Sequence, residues 1–311
     1  MNLFSYMAVR AGRSAVYFRR RHSKLRQAVP YWVVAALTKL ESGVEQLRRY
    51  FTNVDYDCRY TNVYHFGIQK TGSVWIQSVL CDLVVYKYSG LLPYRVRGVR
   101  RRNQMEEVQF SRPFPQGRIV TKLYISYENF LKIPKPDNYV AFFVLRDPRE
   151  LVVSWYFSTR DSHIVKQEPD RLLYRARKQL RSMSVEEGLY YCIRKFREKG
   201  KFDLLRSWGR GAVDDSSVKI VRFEDLAGPH SVQRFGELFK FLDIQIPEPE
   251  LEDLVYAYSF RTLTGRRPGQ EDTKSHLRSG CADSWRYYFK DGLLEYFENQ
   301  SEGLSAQLGY D

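Results

Sequence analysis

The stretch His65-Phe66-Gly67-Ile68-Gln69-Lys70-Thr71-Gly72-Ser73-Val74-Trp75 changes its hydrophobic period halfway along. Thr61 to Ile68 reads as a short buried strand, with Val63, Phe66 and Ile68 as its apolar content. Val74 to Val85 carries apolar residues at helical spacing. Between them stand Lys70, Thr71, Gly72 and Ser73, a tight turn with one cation, two hydroxyls and a glycine. Such a strand-to-helix turn aims free backbone N–H groups and the positive end of the helix dipole at one point, which makes a phosphate cradle. The nucleoside-triphosphatase loop has its lysine directly after the second glycine. Here the lysine comes first, and the turn alone suits a phosphate or an ordinary connection equally.

A second segment repeats the arrangement. Ala141 to Leu145 reads as a buried strand that delivers Arg146-Asp147-Pro148-Arg149. Pro148 suits the first turn of a following helix and Asp147 its N-cap. Arg146 then stands at the carboxyl end of a strand, where open α/β sheets bind ligands, and Ser154 follows about two helical turns on. Further strands read at Ile119–Tyr124 and Val218–Phe223, and helices at Val185–Trp208, Ser231–Leu242 and Pro249–Tyr258. This alternation predicts an α/β fold, a mostly parallel central sheet flanked by helices with a P-loop-like strand-turn-helix. The 311 residues and an apolar share of 43% suit one large core.

In that order the segments resemble the sulfotransferases that use 3′-phosphoadenosine 5′-phosphosulfate (PAPS). The family's Lys-Ser-Gly-Thr-Thr-Trp turn, which holds the 5′-phosphosulfate, is similar to Lys70-Thr71-Gly72-Ser73-Val74-Trp75. Its Arg-Asp-Pro-Arg…Ser segment, which holds the 3′-phosphate, is similar to Arg146 through Ser154. Its Arg-Lys-Gly-x-x-Gly-Asp-Trp-Lys resembles Arg278-Ser279-Gly280 through Arg286. The strand and helix around Phe223, and Phe202-Asp203…Ser207-Trp208, complete a likeness over roughly residues 60 to 290. The resemblance implies a PAPS-dependent enzyme of the soluble type, needing no metal, that moves a sulfuryl group in line to a hydroxyl or amine acceptor. It implies Lys70 as stabiliser of the bridging oxygen and Trp75 as a surface for the adenine. Thr71, Gly72, Ser73, Val74, Arg146, Ser154, Phe223, Arg278, Ser279 and Gly280 would bind the rest of the nucleotide. The chemistry agrees, since a polyanionic donor needs clustered cations, hydroxyls and backbone N–H groups.

The chain departs from the family at several positions. Val74 replaces a threonine, Phe223 a tyrosine and Ser279 a lysine. Many members carry Lys-Thr-His on the strand after the phosphosulfate turn, with histidine taking the acceptor proton. Here Lys122 matches the lysine and Tyr124 falls on the histidine. A tyrosine of ordinary pKa, ~10, is a poor base at neutral pH. Glu128 and His163 are the alternatives, and the base stays open. A protein that binds the nucleotide without transfer, or a nucleotide-dependent kinase, are the rival readings.

Residues 1–55 read as a basic, helical extension before a domain at 56–311. Arg19-Arg20-Arg21 with Arg10, Arg13, Lys24 and Arg26 precede a short apolar run, Ala28 to Leu37. A membrane span needs roughly 20 apolar residues, so the expectation is a cytoplasmic protein. Its basic end reads either as a solvated helix packing its apolar face on the domain, the favoured reading, or as a peripheral contact with an anionic membrane. Cys58, Cys81, Cys192 and Cys281 show no zinc-like spacing. The formal net charge of +14 draws anions, with a second basic run at Arg95, Arg97, Arg100, Arg101 and Arg102. Nucleic acid is not expected as a partner, because aromatic residues do not interleave with that run. The acceptor is expected to be a hydroxyl-bearing small molecule, lipid or carbohydrate.

Overall fold

The computed structural model describes residues 43–96, 110–163 and 171–310. The basic cluster between Arg10 and Arg26, and Arg97 and Arg100 to Arg102, lie outside the described residues.

Five parallel strands form one sheet in the order β2-β3-β1-β4-β5. They are β1 (Asn62–Gly67), β2 (Leu92–Arg95), β3 (Arg118–Leu123), β4 (Tyr139–Leu145) and β5 (Val218–Arg222). β1 sits at the centre and is buried along its whole length, as a strand covered on both faces must be. The chain leaves β1 toward one edge and leaves β4 toward the other. Lys70 and Arg146 therefore follow adjacent strands whose connections diverge, the crevice that open α/β sheets offer to ligands.

β2 is absent from the sequence reading, which took the residues after Pro93 for a loop. Pro93 lacks the N–H that a central strand needs, and an edge strand tolerates it.

The helices follow the expected order with two breaks. The pattern from Val74 to Val85 divides into α1 (Ser73–Leu80) and the short α2 (Leu83–Lys87). Asp82 stops the first and caps the second by accepting the Val84 N–H at 3.0 Å. α3 (Pro148–Phe157) runs straight into a single π turn, Ser158–Ser162. The pattern from Val185 to Trp208 also divides, into α4 (Val185–Glu198) and α5 (Lys201–Gly211). Gly200, at φ 60°, turns the chain between them, a conformation glycine adopts without a steric cost. α6 (Ser231–Phe241) and α7 (Glu248–Ala257) lie as read. A helix at Arg171–Arg181 lies where the sequence showed no motif.

Apolar residues cover both faces of the sheet. One layer, fed by α3, α4 and α5, centres on Trp208. Its ring lies 4.7 Å from Phe66 and 4.8 Å from Phe143, and its indole N–H donates to the Ile125 carbonyl at 2.8 Å. The other layer packs Val63 and Phe142 against Ile76 of α1, Leu238 of α6 and Leu254 of α7. His65 belongs to this second face. It stacks on Phe142 at 4.9 Å, and burial pulls its pKa down to about 3, so it stays neutral. Residues 43–50 form a helix tied to the sheet edge by Glu45, 3.7 Å from Arg95, and by Arg49, which donates to the Cys81 carbonyl. Among the described residues no helix is long and apolar enough to cross a membrane.

Trp208 fills the layer beneath the strand ends that carry the crevice. Trp208→Ala should cost about 3–5 kcal/mol through the cavity it leaves. Urea denaturation of the two proteins measures that loss.

Candidate nucleotide and transfer site

The turn after β1 is held in an unusual backbone shape. Lys70 has φ 84° and Gly72 φ 71°. Thr71 is wholly buried and its hydroxyl donates to the Ile68 carbonyl at 2.9 Å. Its backbone N–H also donates to the Ile68 carbonyl at 3.4 Å, so Thr71 holds the shape of the turn from below and does not line the cleft. No side chain caps the first turn of α1, which leaves the positive end of the helix to face the crevice. Gly72 is required twice over. Beyond its positive φ, a Cβ there would stand 2.6 Å from the Phe223 ring.

Phe223, directly after β5, packs edge-to-face on Trp75 at 5.8 Å. The indole N–H of Trp75 donates to the Tyr258 carbonyl at 2.8 Å, which fixes the plane of the ring. Arg146 lies over the other side of Phe223, 4.4 Å from its centre. From there its Nη1 donates to the Lys70 carbonyl at 2.8 Å. The turn after β1 and the end of β4 are thus locked together by a charged group bonded to backbone.

Arg278 arrives from the C-terminal loop. Its Nη1 lies 2.7 Å from a carboxylate oxygen of Glu271, and its Nη2 donates to the Ser284 hydroxyl at 2.5 Å. Gly280, at φ 64°, lets Phe260 lie against the same loop, where a Cβ would meet the ring at 2.4 Å. Between the two arginines is Glu150, fully buried in the first turn of α3. Its Oε2 lies 3.2 Å from Arg146 and 3.7 Å from Arg278, while its Oε1 accepts the Trp285 N–H at 2.6 Å. Sequence reading passed over Glu150. The available signal was its place four residues after Arg146, the spacing of a helical ion pair. Arg149, in contrast, grips Asp147 and lies over Trp285 at 3.8 Å, so it braces the helix start.

Beside the turn, β3 ends in an irregularity: Tyr64 pairs with Val120 but Phe66 with Leu123. The extra residue turns Lys122 to φ 68°, and Lys122 lines the crevice. Burial, then the charge of Arg95, pulls its pKa down. The Tyr124 hydroxyl lies 2.6 Å from the Ser73 hydroxyl. Burial pushes the Tyr124 pKa up to about 12, against the lowering effect of that bond. Glu128 is exposed in the first turn of a short helix and does not line the crevice.

These elements enclose a cleft of about 580 Å³. Lys70, Gly72, Ser73, Val74, Trp75, Lys122, Tyr124, Arg146, Ser154, His163, Phe223, Arg278, Ser279 and Gly280 all line it; Thr71 does not. Gln69, Ser158, Arg261 and His276 join them, none singled out as a ligand from sequence. Arg261 adds a further cation to the lining. Among the described lining residues five are cationic, counting Lys70, Lys122, Arg146, Arg261 and Arg278, and none is a carboxylate. Burial, reinforced by Arg146 and Arg278, pulls the Lys70 pKa down to about 7. Arg146 and Arg278 each keep a buried Nε–H with no hydrogen-bond partner. Several cations gathered in one cleft fit a polyanionic nucleotide. No group of three His, Cys, Asp or Glu residues is placed for a metal ion among the described residues.

The chain matches the family model described as "Sulfotransferase domain" over residues 61–309. No curated protein sequence matches it. Among solved structures it is similar to mouse sulfotransferase SULT7A1 complexed with PAP. That likeness has 15% identity, covers 82% of this chain and 86% of that one, and has a TM-score of 0.51. It is also similar to retinol dehydratase in complex with androsterone and inactive cofactor PAP, at 16% identity over 81% and 82% of the two chains, TM-score 0.49. At such identity the first likeness shows a shared fold.

Gly72→Ala tests the turn. A side chain at that φ costs on the order of 1–2 kcal/mol, and the Phe223 ring must also move. Thermal denaturation should show the loss, and binding of any anion held by the turn should weaken with it.

Proposed function

The chain belongs to the sulfotransferase-domain family, and we infer from its cleft how it works as a PAPS-dependent sulfotransferase. The observation that carries the reading is the cleft lined by five cations and no carboxylate among its described residues. Bound PAPS supplies an activated sulfuryl group and a phosphate leaving group. The residues of this chain have three tasks: to bind its charges, to aim it, and to handle the acceptor proton.

Binding divides between two ends. The turn Lys70 to Val74 serves the 5′ end with backbone N–H groups, the Ser73 hydroxyl and the Lys70 ammonium. Arg146, Ser154 and Arg278, which all line the cleft, serve the 3′-phosphate. Trp75 and Phe223 form the wall for the base, with Ser279 and Gly280 closing it from the C-terminal loop. Lys70 and Lys122 face the reacting end, where charge develops on the leaving and transferred oxygens, and fixed cations there lower the barrier.

Tyr124 acts as a hydrogen-bond donor. A phenol whose pKa is pushed up to about 12 keeps its proton, and its hydroxyl sits 2.6 Å from Ser73. It is suited to donate to the transferred oxygens. His163, which lines the same cleft, carries the imidazole that takes the acceptor proton. The acceptor is a hydroxyl-bearing small molecule, lipid or carbohydrate. The four cysteines are unpaired, which supports a reducing, cytoplasmic setting. Residues 56–311 form the catalytic unit. A kinase reading has less support, since phosphoryl transfer places a carboxylate on the metal and no described lining residue is one.

Turnover of labelled PAPS with a panel of sugars, phenols, steroids and lipids tests the reading as a whole. Lys70→Ala should slow transfer by on the order of 10²-fold or more, with a smaller loss of affinity for 3′-phosphoadenosine 5′-phosphate (PAP). Arg146→Ala should show the opposite bias; matching effects in both assays would refute the division of labour.

The pH dependence has a definite sign. Lys70 has a pKa near 7 in the free protein, and a bound anion favours its charged form. PAP binding should therefore take up a proton, and affinity should fall as pH rises from about 7 to 9, above the ~6 at which phosphates lose their last proton. Calorimetry in buffers of different ionisation heat measures the uptake, which Lys70→Ala should abolish.

Tyr124→Phe should lower the rate and leave the shape of the pH–rate profile unchanged. A profile that loses an alkaline limb in this variant would mean that the tyrosine is the base.

A further inference from the structure

Glu150 does not line the cleft, yet its carboxylate pairs with both arginines of the 3′ end. Arg146 is anchored to the turn after β1 through the Lys70 carbonyl. Arg278 is anchored within its own loop by Glu271 and Ser284. Glu150 joins these two separate anchors. One oxygen faces both guanidinium groups, and the other accepts the Trp285 N–H at 2.6 Å. Glu150 and Trp285 stand 135 apart in the chain.

We propose that Glu150 is a positioning residue that aligns Arg146 and Arg278 as one phosphate-reading unit, so that selectivity for a nucleotide 3′-phosphate depends on a side chain that never meets the nucleotide. The proposal rests on the donor reading above. A free arginine loses rotamer freedom when it clamps an anion, and a prefixed one loses less. A full negative charge between two like charges also offsets the repulsion that would otherwise spread them. A neutral amide in its place must turn its N–H₂ either toward the two guanidinium groups or toward the Trp285 backbone N–H, a donor facing donors in both cases.

The rival account is purely electrostatic. If Glu150 matters only as a charge, removing it makes the site more positive and tightens every phosphate. The two accounts give opposite signs.

Binding of PAP and of adenosine 5′-phosphate is compared in the full chain by calorimetry, for wild type, Glu150→Gln and Glu150→Asp. Wild type should prefer the bisphosphate. In Glu150→Gln that preference should shrink by roughly 10- to 100-fold, the loss expected of a charge-assisted contact. The loss should lie almost wholly in the bisphosphate arm, with the monophosphate changing by less than about threefold. Glu150→Asp restores the charge one methylene short and should recover part of the preference. If Glu150→Gln fails to fold, Glu150→Asp is read alone, with a selective loss of about 3- to 10-fold expected in the bisphosphate arm. Unchanged or tighter bisphosphate binding in Glu150→Gln overturns the proposal, as does an equal loss for both nucleotides. A wild type that binds both nucleotides equally refutes the donor reading itself, and the variants then have nothing to explain.

Discussion

Like charge held together in a poorly solvated cleft is the constraint on which the rest of this structure depends. Lys70, Arg146 and Arg278 converge from three distant parts of the chain, and burial with mutual repulsion draws the Lys70 pKa down to about 7. Such an arrangement persists only if each cation is pinned by something stronger than the repulsion. The pins on the two arginines are specific: a backbone carbonyl, an aromatic face and Glu150 for Arg146, and Glu150, Glu271 and a hydroxyl for Arg278. The carboxylates stand behind the cleft, so compensation comes from the protein side and the open side stays positive.

The same physics appears one layer deeper. Lys201 is buried with no hydrogen-bond partner for its amine, which lies over Phe196 at 4.3 Å and Trp155 at 4.9 Å. Burial draws its pKa down to about 7 as well. Two aromatic faces hold a cation less strongly than a carboxylate does. This region of the core tolerates a lysine largely because that lysine can lose its proton. Lys70 has the same freedom in the free protein, and an anion in the cleft removes it.

Aromatic rings link the charged site to the core. Phe223 is at once a wall for Gly72, a neighbour of Trp75 and a platform for Arg146. Replacing the family's tyrosine with phenylalanine removes a hydroxyl and keeps all three contacts. The substitution at Tyr124 differs in kind. On the proposed reading Tyr124 donates a hydrogen bond in its neutral state, and the acceptor proton leaves by another residue. A single departure of this sort shifts a chemical role without disturbing the fold around it.

From the sequence alone, the strand-turn-helix at residues 65 to 75, the Arg146 segment and the alternation of strands and helices were legible. Each rests on local periodicity and on residue types with strong positional preferences, such as Pro148 at a helix start and Asp147 as its cap. Those preferences act over a few residues, so a window of sequence carries them. The edge strand β2, the breaks at Asp82 and Gly200, and the spent hydroxyl of Thr71 depend on which neighbour each residue meets. Glu150 belongs to the same class. An acidic residue in a first helical turn is ordinary in sequence, and only the return of the C-terminal loop, with Arg278 and the Trp285 N–H, turns it into the group between two arginines. Contacts across more than a hundred residues are decided by sheet order and loop return, which no local pattern encodes.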